Sequence, residues 1–171
     1  MGLFHNSKST IYYVQDALFL GSYVPPSTGE VRAHRTPISR NQVKSLLSSA
    51  LKITLGRNPN VNEIKMITAQ SDLETRGWAA MWNNNFGNSI AKKAPWFQIP
   101  GDTSHKYKSF PSPSSGALYY VNMLKTRFSE AWKHLGSGNP KIFAQALKNQ
   151  NYYEASVDSY SQGLEDRYRK A

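Results

Sequence analysis

The sequence has no cysteine and no long apolar run, and each of these absences excludes a class of protein. It also has few acidic residues. Without cysteine, a disulfide framework and a thiolate metal site are both excluded. No apolar run approaches the ~18 residues of a membrane-spanning helix, so no membrane span is predicted. The histidines are too far apart in the chain for a local metal motif, at His5, His34, His105 and His134. The sequence therefore predicts neither a metal nor another cofactor.

The N-terminal segment lacks the features of a secretion signal. It carries one lysine, Lys8, and has neither a clean apolar core nor a small-residue cleavage site. The sequence therefore predicts no cleaved signal peptide. If the protein acts outside a cell, another route must deliver it.

The shortage of acidic residues leaves the chain strongly basic. Eleven Asp and Glu residues stand against 21 Lys and Arg residues, which gives a formal net charge of +10. This charge predicts an anionic partner, such as nucleic acid, an acidic surface or a bacterial cell wall. Excess lysine also increases solubility, so charge alone does not choose among these readings.

The length of 171 residues favours one domain with a core of its own. Residues 1–38 contain aromatic residues and a Pro-Pro-Ser-Thr-Gly stretch, which indicates irregular backbone. We therefore predict an extended N-terminal arm or linker over 1–38, followed by the main domain over 39–171.

Helical periodicity dominates the main domain. Apolar residues at intervals of three and four predict helices that begin at the capping residues Ser39, Asn60, Ser112, Asn139 and Ser156. Glycines at positions 56, 77 and 136 are expected to end the first three. Residues 78–111 have no such period and are rich in Asn, Pro and Gly. The sequence thus predicts a mainly α (α+β) fold, helical with one irregular or small-hairpin lobe.

Glu74 is the carboxylate that the sequence marks for catalysis. If Gly77 ends the second helix, Glu74 lies in its last turn, where the helix dipole disfavours ionisation. A glutamic acid held protonated near neutral pH can donate a proton to a departing sugar oxygen. The alternative reading is a surface glutamate at a helix end.

A second acid is harder to assign. Asp72 projects about 200° around the helix from Glu74, and Glu63 lies roughly 16 Å away along the axis, so neither is expected to face the same bond. Asp102, in the irregular lobe, remains the candidate. Its alternative role is that of a turn residue bonded to its own backbone.

Two segments of this region together resemble a known signature. The segment AQSDLET at residues 69–75, followed by Gly77 and Trp78, precedes NNNFGN at residues 83–88. This arrangement resembles that of peptidoglycan-cleaving glycosidases of the lysozyme-like superfamily. The nearest resemblance is to the bacterial and phage glucosaminidase-type branch, in which a helix ends in a catalytic Glu-Thr or Glu-Ser.

Two further segments extend the resemblance to roughly residues 40–168. YKSFPS at 107–112 resembles an aromatic element of that branch, and NYYEA at 151–155 resembles its tyrosine-bearing closing turn. The chain departs from the pattern at Arg76, Phe110 and Glu154, where the branch more often has glycine, tyrosine and threonine.

The resemblance implies a lysozyme-like catalytic domain over 39–171 and a role for several residues. Glu74 would be the general acid, with Asn84, Asn88, Tyr107 and Tyr152 shaping the sugar site. Trp82, Trp96 and Tyr107 suit stacking on pyranose rings, and Asn side chains, including that of Asn85, can bind N-acetyl groups. Trp78 and Trp132 are interpreted as core residues.

Three functions follow as hypotheses. The first is an enzyme that cuts β-1,4 bonds between N-acetylglucosamine and N-acetylmuramic acid in peptidoglycan glycan strands, by hydrolysis or by lytic transglycosylation. The lack of a signal peptide would fit a phage virion component, or a lysis enzyme held in the host cytoplasm before release. The second is a phage tail or baseplate protein that binds neighbours through residues 1–38 and has lost or reduced catalysis. The third, a nucleic-acid-binding domain, is disfavoured because the chain has no concentrated basic helix.

Overall fold

The computed structural model describes residues 29–171, in which six helices hold 52% of the residues. They are α1 (Arg40–Leu55), α2 (Val61–Thr75), α3 (Pro113–Arg127), α4 (Ser129–Lys133), α5 (Pro140–Asn149) and α6 (Val157–Lys170). Two short antiparallel strands, β1 (Trp96–Phe97) and β2 (Tyr107–Lys108), form a hairpin between α2 and α3. The predicted mainly helical class is confirmed. None of the helices within 29–171 has the length and apolar character needed to cross a bilayer.

The helix starts follow from side-chain caps. A side-chain oxygen accepts hydrogen bonds from first-turn N–H groups at all five predicted capping positions, Ser39, Asn60, Ser112, Asn139 and Ser156. Gly56 ends α1 with a φ of 70°. At the end of α2 the left-handed conformation begins one residue before Gly77, because Arg76 has a φ of 51°.

The prediction of a single helix from Ser112 to Gly136 is wrong in one respect. Phe128 has φ −125° and ψ 52°, which interrupts the helix between α3 and α4. Its buried ring meets the ring of Tyr152 edge-on, with centroids 4.7 Å apart. Periodicity did not predict this break because apolar residues continue at helical spacing through it.

Helix α2 runs through the centre of the fold. It packs against α1 on one side and α6 on another, and its residues from Met66 to Asp72 are all buried. Helix α1 also packs against α3, and α5 packs against α6. The end of α2, where Glu74 lies, is therefore held by several elements.

The irregular lobe is tied to α2 and α3 by short polar links. Ser71 of α2 donates a 2.8 Å hydrogen bond to the Phe86 carbonyl and accepts one of 3.0 Å from Nε1 of Trp78. Trp78 is buried, as predicted. Helix α3 approaches the lobe so closely that a Cβ at Gly116 would lie 2.0 Å from the Asn84 carbonyl oxygen.

The end of the predicted arm is extended and packs on this lobe. Trp96 donates a backbone hydrogen bond to the Gly29 carbonyl and accepts one from Val31, both 2.8 Å long. Arg35 forms a β-bridge with Trp82. Residues 29–38 are thus hydrogen-bonded to the domain that was predicted to start at residue 39, whereas 1–28 lie outside the described residues.

Candidate active site

Glu74 lies in the last turn of α2, as predicted, and is partly buried. The Tyr160 hydroxyl, from α6, donates a 2.8 Å hydrogen bond to its Oε1. The packing of α6 on α2 brings together these two residues, which are 86 positions apart. The amide of Asn88 also reaches this turn and donates to the Glu74 backbone carbonyl.

Burial raises the pKa of Glu74 to about 7. Hydrogen bonds from Tyr160 and Tyr152 oppose the rise, because they stabilise the carboxylate. The direction of this pKa shift agrees with the expectation from the sequence, but its main cause is burial rather than the helix terminus. A carboxyl group that is close to half protonated at neutral pH can act as a general acid there.

Tyrosines and one glutamine form a buried polar cluster around this carboxyl group. Gln70 lies one turn before Glu74 and accepts a hydrogen bond from the Tyr120 hydroxyl. Burial, with the added effect of nearby Glu74, raises the pKa values of Tyr120, Tyr152 and Tyr160 well above the usual range. All three hydroxyls therefore stay neutral at physiological pH and remain able to donate hydrogen bonds.

Aromatic packing holds two of these tyrosines in place. The Tyr160 ring stacks on Tyr153, with centroids 3.7 Å apart and an interplanar angle of 4°. The Tyr152 ring is held by Phe128, as described above. Tyr152 was predicted as a site residue from the resemblance. The sequence did not mark Tyr160 as a site residue, because its spacing within the last helix could not show that it meets Glu74.

The other carboxylates of α2 have structural partners. Asp72 is buried and forms ion pairs with Arg40 at 2.7 Å and Arg167 at 3.1 Å. Glu63, in the first turn, pairs with Arg57 at 2.6 Å. These contacts agree with the expectation that neither carboxylate works beside Glu74.

Asp102 lies in the turn between β1 and β2. Its carboxylate accepts hydrogen bonds from the Ser104 N–H and hydroxyl at 2.9 and 2.6 Å, and from the Tyr107 hydroxyl at 2.7 Å. These bonds, those of Ser104 first, hold its pKa well below the usual range. Asp102 therefore stays ionised and has the turn role that the sequence allowed as an alternative. Its catalytic role stays a prediction.

The asparagines after Trp82 hold the lobe together. The buried Asn84 amide donates to the Phe110 carbonyl at 3.0 Å. The buried Asn85 amide donates to the carbonyls of Ser89 and Lys108, both at 3.0 Å, and its oxygen accepts from the Ser89 N–H at 2.8 Å. Sugar binding by Asn84 and Asn85 stays a prediction, and their observed partners are all within the protein.

The predicted stacking aromatics are partly covered by cations. The Arg35 guanidinium lies 4.2 Å from the Trp82 ring centroid, and the Lys106 ammonium lies 4.0 Å from that of Trp96. Tyr107 has its hydroxyl bound to Asp102. A sugar that stacks on either tryptophan therefore has to use the opposite face or displace the cation.

Side chains that could bind a metal ion are not clustered among the described residues. In the part of the chain that the structure describes, no three His, Asp or Glu side chains are grouped so that they could hold a metal ion. The polar groups described around the Glu74 carboxyl group are tyrosine hydroxyls and amides.

The fold and the site define a mainly helical domain with a partly buried acid at the end of its central helix. No protein-family model, curated protein or solved structure matches the chain. The groups around Glu74, through their geometry and protonation, are therefore the guide to function.

Proposed function

We propose that this protein is a peptidoglycan glycosidase with a lysozyme-like helical domain. It would cleave β-1,4 bonds between N-acetylglucosamine and N-acetylmuramic acid. The observation that carries the proposal is Glu74 itself, a partly buried carboxyl group with a pKa of about 7 that is held by Tyr160. The resemblance of residues 69–88 to the glucosaminidase-type signature supports the same reaction.

Glu74 acts as the general acid in this proposal. Its proton passes to the glycosidic oxygen as the bond from that oxygen to the anomeric carbon breaks, so that the leaving sugar departs as a neutral alcohol. The hydroxyls of Tyr152 and Tyr160 then stabilise the carboxylate that remains, since they favour its charged form.

The positive charge that develops on the sugar ring needs a second group. Asp102 is ionised and could orient a water molecule, whereas the acetamido or hydroxyl group of the substrate could attack the anomeric carbon instead. Attack by water gives a reducing-end sugar, and attack by the substrate's own hydroxyl gives an anhydro sugar. The products therefore distinguish hydrolysis from lytic transglycosylation.

The net charge and the N-terminal segment support a proposal for where the enzyme is carried and where it acts. A net charge of +10 favours binding to an anionic cell wall. We propose a phage enzyme, carried in the virion or accumulated in the host cytoplasm for lysis. Residues 1–38 would be the contact with tail or baseplate proteins.

A second candidate is a phage tail or baseplate protein that keeps this fold with little or no catalysis. It is favoured by the polar groups of the lobe, since the Asn84 and Asn85 amides bind backbone carbonyls and cations cover one face of Trp82 and Trp96. A domain selected for assembly alone could keep all of these contacts.

One experiment separates the two candidates. Purified peptidoglycan is treated with the wild-type protein, with Glu74→Gln and with Glu165→Gln, and the released muropeptides are identified by mass spectrometry. Glu165 is an exposed residue of α6 and serves as the matched control. We expect cleavage by the wild type and the control only. Absence of products from the wild type would contradict the enzyme proposal, and equal activity of Glu74→Gln would remove Glu74 from the mechanism.

A further inference from the structure

Two cations lie near the candidate site without a carboxylate partner. Lys108, on β2, is half-buried, and its ammonium lies 5.0 Å from the centroid of the Tyr119 ring. Arg127, at the end of α3, interacts with the Tyr119 hydroxyl. Within residues 29–171, neither cation is in ion-pair distance of an Asp or Glu side chain, whereas four arginines on the same domain are: Arg40, Arg57, Arg167 and Arg169.

Both cations are connected to the surroundings of Glu74. The Lys108 N–H donates a 2.9 Å hydrogen bond to the carbonyl of Ser89, which directly follows the Asn88 bound to the Glu74 turn. On the other side, the Arg127 guanidinium lies 5.6 Å from the centroid of the Phe128 ring. Phe128 packs on Tyr152, which interacts with the Glu74 carboxyl group.

The two positive charges also affect each other. Burial lowers the pKa of Lys108, and the charge of Arg127 lowers it further. A pair of like charges with one half-buried member is unfavourable unless an anion lies between or beside them. The described residues supply no such anion, so a ligand that carries one would relieve the repulsion.

We infer that Lys108 and Arg127, with Tyr119 between them, form a subsite that binds a carboxylate of the substrate. The inference rests on the proposed function and adds the chemistry that the site selects. Peptidoglycan carries carboxylates in two places, on the lactyl group of an unsubstituted muramic acid and on the stem peptide. Chitin-type strands of N-acetylglucosamine carry none, so the subsite would make the enzyme prefer acidic strands.

Tyr119 has a positioning role in this subsite. Its ring is contacted by Lys108 and packs on Phe110, with centroids 4.9 Å apart, while its hydroxyl faces Arg127. Tyr119 is therefore in contact with both cations. A carboxylate can accept hydrogen bonds from one cation with each oxygen in such an arrangement.

The test measures binding by isothermal titration calorimetry in the Glu74→Gln background, so that cleavage does not interfere. The probes are peptide-free glycan tetrasaccharides with free lactyl carboxylates, the same strands after methyl esterification, and peptide-bearing strands with and without esterification. We expect the Glu74→Gln protein to bind one free-acid form at least about tenfold more tightly than its ester. The free acid and ester whose affinities differ identify the source of the carboxylate. A difference between the peptide-free strands identifies the lactyl group, and a difference between the peptide-bearing strands alone identifies the stem peptide.

Two double variants complete the experiment, both in the same background. K108Q with R127Q removes the two cations of the subsite and is expected to abolish the preference for the free acid. R32Q with K52Q removes the same amount of charge from two exposed residues and is expected to keep it. Circular dichroism shows whether each variant is folded.

The outcomes separate this inference from the proposed function. Equal binding of acid and ester, or a preference that survives K108Q with R127Q, overturns the subsite even if the wild type cleaves peptidoglycan. If the wild type cleaves nothing but the preference depends on Lys108 and Arg127, the subsite stands and the proposed catalysis fails.

Discussion

The Tyr160 hydroxyl donates its hydrogen bond to Glu74 from a helix that lies at the other end of the domain sequence, and the bond is 2.8 Å long. It links the candidate acid to the packing of α6 on α2. The protonation of Glu74 therefore depends on how these two helices are assembled. Changes at Tyr160 should be visible in the pH dependence of the protein.

The first prediction concerns the pH dependence of activity. A general acid works only while it is protonated, so peptidoglycan cleavage should fall as the pH rises through about 7, the pKa of Glu74. Initial rates from pH 5 to 9 at constant ionic strength measure this fall in activity. A rate that stays level to pH 9 would show that Glu74 is not the proton donor.

The second prediction concerns the rate effect of Glu74→Gln. Glutamine has a similar shape but no acidic proton to transfer, so kcat should fall about 10²- to 10⁴-fold. The control Glu165→Gln should retain the wild-type rate, because that side chain is exposed and lies outside the cluster. Muropeptide release over time gives both rates.

The third prediction concerns stability. Because the pKa of Glu74 is raised from 4.5 to about 7 on folding, the folded state holds this proton more tightly than the unfolded state. The wild type should therefore lose stability relative to Glu74→Gln as the pH rises from about 4.5 to about 7. The difference should reach on the order of 3 kcal/mol and stay constant above that window. Urea unfolding of both proteins at several pH values measures this difference. If the free energies of unfolding of the two proteins changed equally with pH, the pKa shift of Glu74 would be contradicted.

The fourth prediction concerns Tyr160→Phe. Loss of the hydroxyl removes a bond that favours the carboxylate, so the pKa of Glu74 should rise and the alkaline limb of the activity profile should move to higher pH. The maximal rate should fall about tenfold, since the remaining carboxylate is less well stabilised. Tyr168→Phe is the matched control, because that hydroxyl lies on the same helix but binds Asn62. An unchanged pH profile in Tyr160→Phe would argue for a purely structural hydroxyl.

The fifth prediction separates structural from substrate-binding asparagines. Asn85→Ala leaves a buried N–H, a buried carbonyl and a partly buried carbonyl without their partner, so the free energy of unfolding should fall by about 2–3 kcal/mol. Asn149→Ala, on the exposed side of α5, should change it by less than about 0.5 kcal/mol. Stability that is unchanged in Asn85→Ala, combined with weaker sugar binding, would favour the direct contact that the sequence predicted.

The local features of the fold could be predicted because they depend on near neighbours in the chain. Ser39, Asn60 and Ser112 cap helices through bonds to residues three positions away, and sequence spacing shows such relations directly. The same holds for the position of Glu74 in the last turn of α2. The break at Phe128 escaped prediction because apolar residues continue at helical spacing through it, whereas the ring that packs on Phe128, Tyr152, is distant in sequence.

By itself, the sequence determined the helical class and the helix starts, and it identified Glu74 as the candidate acid. Short-range hydrogen bonds and the periodic burial of apolar side chains fix these features. Only the tertiary structure decided the environment of Glu74, the internal use of Asn84 and Asn85, and the unpaired state of Lys108 and Arg127 among the described residues. The physical reason is that burial, a pKa and the balance of charges depend on groups that the chain brings together only when helices and lobe pack.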